Sequence, residues 1–303
     1  MQHTSKKNEP VFGDSLQKMK PATKDLTVVL GCYNASDHLE ANIIDLLHFL
    51  DKLKRSYEVM VVEDGSQDNS LGVLRRLEDR SPGLTVMRNP KNMGKGFSIR
   101  NGVLNSNGKY IIFTDTDMAY AKQNMMTVLD RLENGHPIVV GNRRLPESVY
   151  TVNNALIRFV YRRHYMGMAF NLFVRKLFGL TTRDTQSGLK GFHRPVAVQI
   201  FEKLYTDGFL FDVELFIRAR KLGVPILEIP VHLTYTTADS TVSQFRAFFS
   251  VLPELIHIKV LELRGAYDQP LTDDPRLSGG NRLDQRQRDA DQEHRPEDNA
   301  RLG

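Results

Sequence analysis

The 303-residue sequence predicts an α/β fold, a mostly parallel sheet flanked by helices. Three observations carry that expectation. Short β-branched apolar runs alternate with segments of helical period across residues 26–144, the pattern of strands joined by crossover helices. Polar clusters follow three of those runs, at Tyr33-Asn34, Glu63-Asp64 and Asp115–Asp117. In parallel sheets, ligands bind just beyond the carboxyl ends of the strands. Finally, 41% hydrophobic and 25% charged residues are ordinary values for a chain that buries a core.

The elements follow in order. LTVVLGCYN (26–34) is a buried strand ending in turn residues, and ASDHLEANIIDLLHFLDKLK (35–54) has helical spacing. YEVMVVEDGSQDNS (57–70) is a strand closing in acids and turn formers, and LGVLRRLEDR (71–80) is a short helix. LTVMRNP (84–90), GFSIRNGVLNSN (96–107) and KYIIFTDTD (109–117) read as strand, helix and strand. NMMTVLDRLENG (124–135) is a helix and PIVVGNRR (137–144) a strand. A basic, aromatic helix occupies 155–180, then TTRDTQSGLKGFHRP (181–195) reads as a polar loop. FDVELFIRARKLG (211–223) is a helix, VPILEIPVHLTY (224–235) a late strand, and 244–264 an amphipathic segment. The expected organisation is a flexible leader over 1–24, an α/β domain over 25–245, an amphipathic helix over 246–265 and a disordered polar tail over 266–303.

The net charge of +5 is unevenly spread. From Ala266 onward, nine acids and six arginines give −3, which leaves +8 on the rest. A mildly basic body suits phosphate-bearing partners, but no basic stripe or nucleic-acid motif is present, so nucleic acid is not expected. One cysteine, Cys32, rules out an internal disulfide and a cysteine zinc site. The N-terminal stretch lacks the apolar core of a secretory signal, and no uncharged apolar run reaches the ~18 residues of a spanning helix. The expected location is the cytoplasm or the cytoplasmic face of a membrane.

Asp115 and Asp117 are hard oxygen ligands suited to Mg²⁺ or Mn²⁺, and an ion there would hold a diphosphate leaving group. The alternative is a polar turn, since D-x-D is short and common; three coincident clusters favour the site. Asp64 could accept a base N–H, while Ser66 or Asp68 caps the next helix. NMGKGFSIRNG sets Lys95 between two glycines, with Arg100 one turn on; the glycines permit close approach and the cations suit phosphate, or the stretch is a solvated turn. RDTQSGLKGF (Arg183–Phe192) is a cationic loop that could bind an acceptor through Arg183, Gln186, Ser187 and Lys190. Within it, Asp184 is a candidate catalytic base, or orients Arg183 or Lys190. Asp212 and Glu214 could do paired acid–base work, or one caps a helix while the other, Glu214, faces solvent.

These blocks together resemble the GT-A glycosyltransferases of family 2, and among them the dolichyl- and polyprenyl-phosphate hexose synthases. The likeness covers roughly residues 26–245 and rests on YN at Tyr33-Asn34, VVEDGSQDNS, NMGKGFSIRNG, TDTD at Thr114–Asp117, GNRR at Gly141–Arg144, DTQSGLKGF and FDVEL. The resemblance implies nucleotide contacts from Tyr33, Val62 and Asp64, metal and diphosphate contacts from Asp115, Thr116 and Asp117, and a phosphate contact from Arg143. It also implies an inverting, single-displacement transfer of a hexose from a nucleotide sugar. UDP-glucose is favoured, GDP-mannose next, because DTQSGLKGF is closer to the glucose-transferring branch. A lipid phosphate acceptor is already ionised near neutral pH, so it needs cations more than a base; Arg162, Arg163, Arg183 and Lys190 are candidate suppliers. The chain departs from the family at Gly31, where Pro is usual, at Ala35, where Glu is usual, and at Thr241 of Ser240-Thr241-Val242, where a lysine is often found. No Q-x-x-R-W signature is present, which argues against a polymerising synthase. Residues 153–178 would lie in a membrane interface under this reading, or pack as an ordinary helix with a solvated basic face. The rival functions are a transferase with a soluble or glycan acceptor and a catalytically silent nucleotide-sugar-binding protein; a Rossmann dehydrogenase lacks its G-x-G-x-x-G.

Overall fold

A computed structural model describes residues 21–152, 157–235 and 251–268, with the side chains of 157–164 and 235 outside that description. Residues 1–20 of the expected leader, 269–303 of the expected tail, and Ser240-Thr241-Val242 lie outside it as well. Nine strands and eight helices occur among the described residues.

The first half alternates as its periodicity requires. The order is β1 (Lys24–Cys32), α1 (Ser36–Asp51), β2 (Tyr57–Glu63), α2 (Ser70–Glu78), β3 (Leu84–Arg88), α3 (Lys95–Asn105), β4 (Gly108–Asp115), α4 (Lys122–Glu133) and β5 (Ile138–Asn142). β6 (Val149–Val152), α5 (Ile157–Phe178), β7 (Lys190–His193), α6 (Arg194–Phe201), α7 (Phe211–Lys221), β8 (Ile226–Pro230), β9 (His232–Tyr235) and α8 (Leu252–Leu263) complete it. Seven strands form one sheet in the order β3-β2-β1-β4-β7-β5-β8. All pairs are parallel except those of β7, which runs antiparallel to both β4 and β5. β6 and β9 pair in a separate parallel ribbon.

The central strands read as unbroken apolar runs because both faces of the sheet are covered. Alternate residues feed two cores. Val28, Leu30, Val59, Val61 and Ile112 meet Leu39, Ile43 and Leu46 of α1, with α2 and α4 beside them. Val29, Ile111, Phe113, Ile138 and Val140 meet Ile99 and Val103 of α3, Val174 and Phe178 of α5, and α6 and α7. α3 lies very close to the sheet: a Cβ at Gly102 would come within 2.4 Å of Val29.

The second half differs from the expectation. The stretch 181–195, expected as a loop, contains β7 and the start of α6. Its period is hidden by Lys190, which is fully buried and so occupies a position that sequence patterning gives to an apolar residue. The single late strand is two. β8 ends at Pro230, which cannot donate to a ladder, and β9 crosses to the ribbon with β6. β6, only four residues long, had no signal of its own. Glu214, which one of the two readings of FDVEL set facing solvent, is fully buried. It accepts N–H bonds from Tyr205 (2.9 Å) and Thr206 (2.8 Å) and a bond from Arg218 Nε (3.0 Å). It therefore staples the loop after α6 to α7. Within the stretch expected as a tail, Tyr267 is buried, with the Arg218 guanidinium 4.9 Å from its ring centre.

Glu214→Ala would strand two buried N–H groups and a buried guanidinium, so it should lower stability by about 3 kcal/mol or more in urea unfolding. An unchanged midpoint would show that the staple is not structural.

Candidate active site

Strand register brings the polar clusters level. Gly31 of β1 lies opposite Val62 on one side and Asp115 on the other, and Cys32 opposite Glu63. Tyr33, Asp64 and Asp117, each one or two residues further on, therefore share one edge of the sheet. Because β7 is antiparallel, the loop before it, which carries Asp184 to Leu189, emerges at that same edge.

Tyr33 is exposed there. Asn34 follows in a left-handed conformation (φ 48°), and the loop is tied across to the β2 turn: Asn34 N donates to Ser66 Oγ (3.0 Å) and Gln67 N to Asn34 Oδ1 (2.9 Å). Asp68 caps two helices at once, accepting from Ser36 N (2.9 Å) and Ser70 N (3.0 Å). Burial alone would raise its carboxyl, but these bonds outweigh it and hold the group at about 2. Val62 is wholly buried, so a nucleotide would meet only its backbone.

Asp64 is nearly buried and accepts from Asn89 Nδ2 (2.7 Å), Met93 N (2.9 Å) and Gly94 N (2.9 Å). Three of its roughly four acceptor positions are thus spent holding the glycine loop. Burial pushes its carboxyl up against those bonds.

The glycines of NMGKG serve protein rather than phosphate. Gly94 has φ 100°, and a Cβ there would sit 2.4 Å from the Asp207 carbonyl. The first N–H groups of α3 are taken as well, Gly96 N by Gly208 O (3.1 Å) and Phe97 N by Asp207 O (3.0 Å). Arg100, expected to suit phosphate, instead binds Leu204 O (2.7 Å) and Asp207 Oδ1 (2.6 Å), largely buried. Lys95 alone of that motif reaches the edge: its Nζ lies 2.6 Å from Asp115 Oδ1.

Asp115 ends β4. Its other oxygen faces Gly188, where a Cβ would come within 2.2 Å, so any side chain at that position would displace the carboxylate. Asn42 Nδ2 donates to Thr116 O (2.8 Å), which fixes the turn between the two aspartates. Asp117 accepts from Ala119 N (3.1 Å); partial loss of hydration and then the charge of Asp115 push its carboxyl up. Among the described residues no three His, Cys, Asp or Glu side chains cluster as a closed metal cage. Two neighbouring carboxylates facing a lysine cation nevertheless fit Mg²⁺ or Mn²⁺, which are commonly held by one or two carboxylates with phosphate and water completing the shell.

The third group surrounds Asp184, which is fully buried. It takes Arg143 side-on, Nε to Oδ2 at 2.8 Å and Nη2 to Oδ1 at 2.8 Å, and accepts from Arg143 N at 3.0 Å. Burial opposes its charge, but Arg143 outweighs it and sets the carboxyl at about 2. A carboxylate that weak and that occupied is not a catalytic base, and its partner is Arg143 rather than Arg183 or Lys190. Any phosphate contact by Arg143 has to be shared with Asp184. Arg183 is exposed, with its own N–H on Glu228 (2.8 Å). Gln186 is half-buried, and its Nε2 has no hydrogen-bond partner among the described residues.

Two acceptor-phosphate expectations are corrected. Lys190 Nζ donates to Asp212 Oδ1 (2.9 Å) and Ser187 O, with the Phe113 and Phe216 ring centres 5.2 and 5.6 Å away. Burial pushes Lys190 down and Asp212 up, each opposed by the other's charge. No phosphate reaches that ammonium. Ser187 is also fully buried, 3.1 Å from the Tyr120 hydroxyl, which accepts from Gly188 N (3.0 Å). Arg162 and Arg163 fall in α5, but their side chains lie outside the described residues. Sequence reasoning overlooked Asn42, Tyr120 and Gly188; only the proximity of Tyr120 to the aspartate pair hinted at a role.

A mostly parallel sheet with this carboxylate pair at its edge defines a glycosyltransferase of GT-A architecture. The sequence profile of Glycosyl transferase family 2 matches residues 27–201, and the chain belongs to that family. It is 30% identical over 258 residues to the dolichyl-phosphate beta-glucosyltransferase of Homo sapiens, covering 81% of this chain and 78% of that protein. The Dictyostelium discoideum protein of the same name is 29% identical over 253 residues, covering 80% and 76%. The fold also matches glucosyl-3-phosphoglycerate synthase from Mycobacterium tuberculosis in complex with uridine diphosphate, at 16% identity, TM-score 0.54 and 82% of both chains.

Asp184→Asn tests the Arg143 clamp. The carboxyl is lowered from 3.8 to about 2, so its stabilisation is complete above pH ~4 and lost as pH falls through ~2. Wild type should lose about 2 kcal/mol across that window from this group, and the Asn variant should lack that share of the slope. Equal acid slopes in urea unfolding would refute the assignment.

Proposed function

We propose that this glycosyltransferase moves a hexose from a nucleotide sugar to a dolichyl or polyprenyl phosphate, with inversion, and that UDP-glucose is the donor. The single observation that carries this is the Asp115–Asp117 pair at the sheet edge, level with Tyr33 and Asp64 and beside the Arg143–Asp184 loop. The relatives' names support the acceptor and the sugar.

In this reading Tyr33 and Asp64 border the nucleotide, with Val62 contributing backbone alone. Asp115 and Asp117 would hold Mg²⁺ or Mn²⁺, which when bound neutralises charge on the departing diphosphate. Thr116, pinned by Asn42, keeps the two carboxylates convergent. Asp184 acts as a positioning residue that fixes Arg143. A phosphate monoester acceptor brings its own negative oxygen, so the site has to orient it rather than deprotonate it. Arg143, the exposed Arg183 and Gln186 would share that task.

The acceptor's lipid calls for a membrane-facing surface beside this loop. α5 is anchored to the site at its middle, through Arg144 Nη2 to Gly167 O (2.8 Å) and the hydrogen-bonded contact of Asn171 with Thr185. Its opposite face exposes Tyr165, Met168, Leu172 and Phe173, with Lys176 one turn further. α8 crosses the end of α5, where Lys259 Nζ binds Leu177 O (3.0 Å), and exposes Leu252, Ile256, Val260 and Leu263. Two amphipathic helices with flanking cations suit a peripheral, interfacial attachment. No described helix is long and apolar enough to cross a membrane.

The decisive assay mixes full-length protein, Mn²⁺ and labelled UDP-glucose, GDP-mannose or UDP-N-acetylglucosamine with polyprenyl phosphate, and counts organic-extractable label. Label should pass from UDP-glucose, and Asp117→Ala should reduce it by at least about a hundredfold, the scale of losing a principal electrostatic group. Donor hydrolysis without extractable label would point to a soluble acceptor. Tight donor binding without either would point to a silent binding protein.

The attachment is tested separately. Leu172→Glu/Phe173→Glu should release the protein from anionic vesicles in co-sedimentation while leaving its fold intact by circular dichroism. Undiminished sedimentation would remove α5 from the membrane surface.

A further inference from the structure

Lys95 is an odd neighbour for a metal ligand. Its ammonium sits on Oδ1 of Asp115, at 2.6 Å, while the Oδ2 side is walled by Gly188. The lysine therefore covers one of the two oxygens with which Asp115 could hold a metal. The platform beneath it is fixed: Met93 and Gly94 N–H are held by Asp64, and Gly96 and Phe97 N–H by Gly208 and Asp207. Only the side chain, with its four flexible methylenes, is at liberty to move. Behind it, Asp212 is committed to Lys190, so it does not draw Lys95 away.

We propose that Lys95 is a resident counter-cation for the Asp115–Asp117 pair, which yields Asp115 when a divalent ion enters and moves its ammonium to the diphosphate of the donor. The inference rests on the donor reading above. It has a thermodynamic content. Without the nucleotide, a metal ion must expel the ammonium and leave it near a second positive charge. With the nucleotide, the displaced ammonium gains two phosphate groups as partners. Metal and sugar nucleotide must then bind cooperatively, and the coupling is reciprocal, each strengthening the other by the same factor. Lys95 would thus keep the protein from loading metal before its donor is present. It would also keep the paired carboxylates from repelling one another in the empty site.

The test measures metal binding, not turnover. Full-length wild type, Lys95→Gln and Lys95→Arg are titrated with Mn²⁺, with free ion read by electron paramagnetic resonance, in the absence and presence of saturating UDP. In wild type, UDP should tighten Mn²⁺ binding by about tenfold or more, within the usual range of coupling between sites. Lys95→Gln should bind Mn²⁺ alone about tenfold tighter than wild type, and UDP should tighten it far less. Lys95→Arg, which keeps the charge, should stay near wild type without UDP, and serves as the reference should the Gln variant fold poorly by thermal melting. In that event, Lys95→Arg and wild type showing no UDP-dependent tightening would overturn the inference. It is equally overturned if Lys95→Gln binds Mn²⁺ alone no better than wild type, and UDP-dependent Mn²⁺ binding in the same titrations would leave the donor reading standing. No Mn²⁺ binding by wild type even with UDP would remove both.

Discussion

The buried pair of Lys190 and Asp212 is the interaction on which the site depends. It joins β7, the one strand that runs against the others, to α7, and it does so in a pocket closed by Phe113 and Phe216. Two charges removed from water are costly unless each satisfies the other, and removal of either partner alone leaves an uncompensated charge in the core. Here the geometry is good, and a second ammonium hydrogen finds Ser187 O. The consequence is positional. β7 is held in the centre of the sheet, the loop before it is pulled to the active edge, and Gly188 is brought against Asp115. A hydrophobic pair of similar volume would satisfy the core, but it would not set the backbone of Ser187 at this point.

Around that pair the edge is organised as alternating charge. Asp117 and Asp115 are followed by Lys95, then by Asp212 and Lys190, and on the other flank Asp184 holds Arg143. Every one of these carboxylates except Asp117 has been given a cation before any substrate arrives. This is the logic of a preorganised electrostatic site: charge is arranged during folding rather than during reaction. It also separates two kinds of carboxylate. Asp68 and Asp184 are tied so firmly that they stay ionised and inert, whereas Asp117 is crowded by a like charge and remains available to a positive partner.

The sequence made the front half of this arrangement legible and the back half much less so. From β1 to β5 the strand and helix periods are clean, because continuous apolar strands and two-faced helices are what a covered parallel sheet demands. TDTD was readable for the same reason, since a polar pair at the end of such a strand falls at the ligand-binding edge. The failures share a cause. Lys190, Ser187 and Arg100 are polar residues in buried places made tolerable by partners far away in the chain, and Glu214 is one satisfied by the loop before its own helix. Local patterning assigns such residues to the surface. The glycines of NMGKG misled in a related way: they do permit close approach, but the approaching group is the backbone at Asp207 and Gly208. Only the Lys190 partnership could have been guessed, from the acids of FDVEL embedded among apolar residues.

The reversed direction of β7 has one more consequence. In a sheet whose strands all ran one way, the carboxylate grip and the opposing loop would come from separate crossovers, each free to drift with its own connection. Here the strand that follows the Asp184–Leu189 loop is hydrogen-bonded directly to the strand that ends in Asp115. The distance between the two sides is therefore a matter of ladder spacing, not of hinge or lid. The protein carries its own ruler, and the span between the aspartate pair and the loop that faces it is written into the register of a single pair of strands.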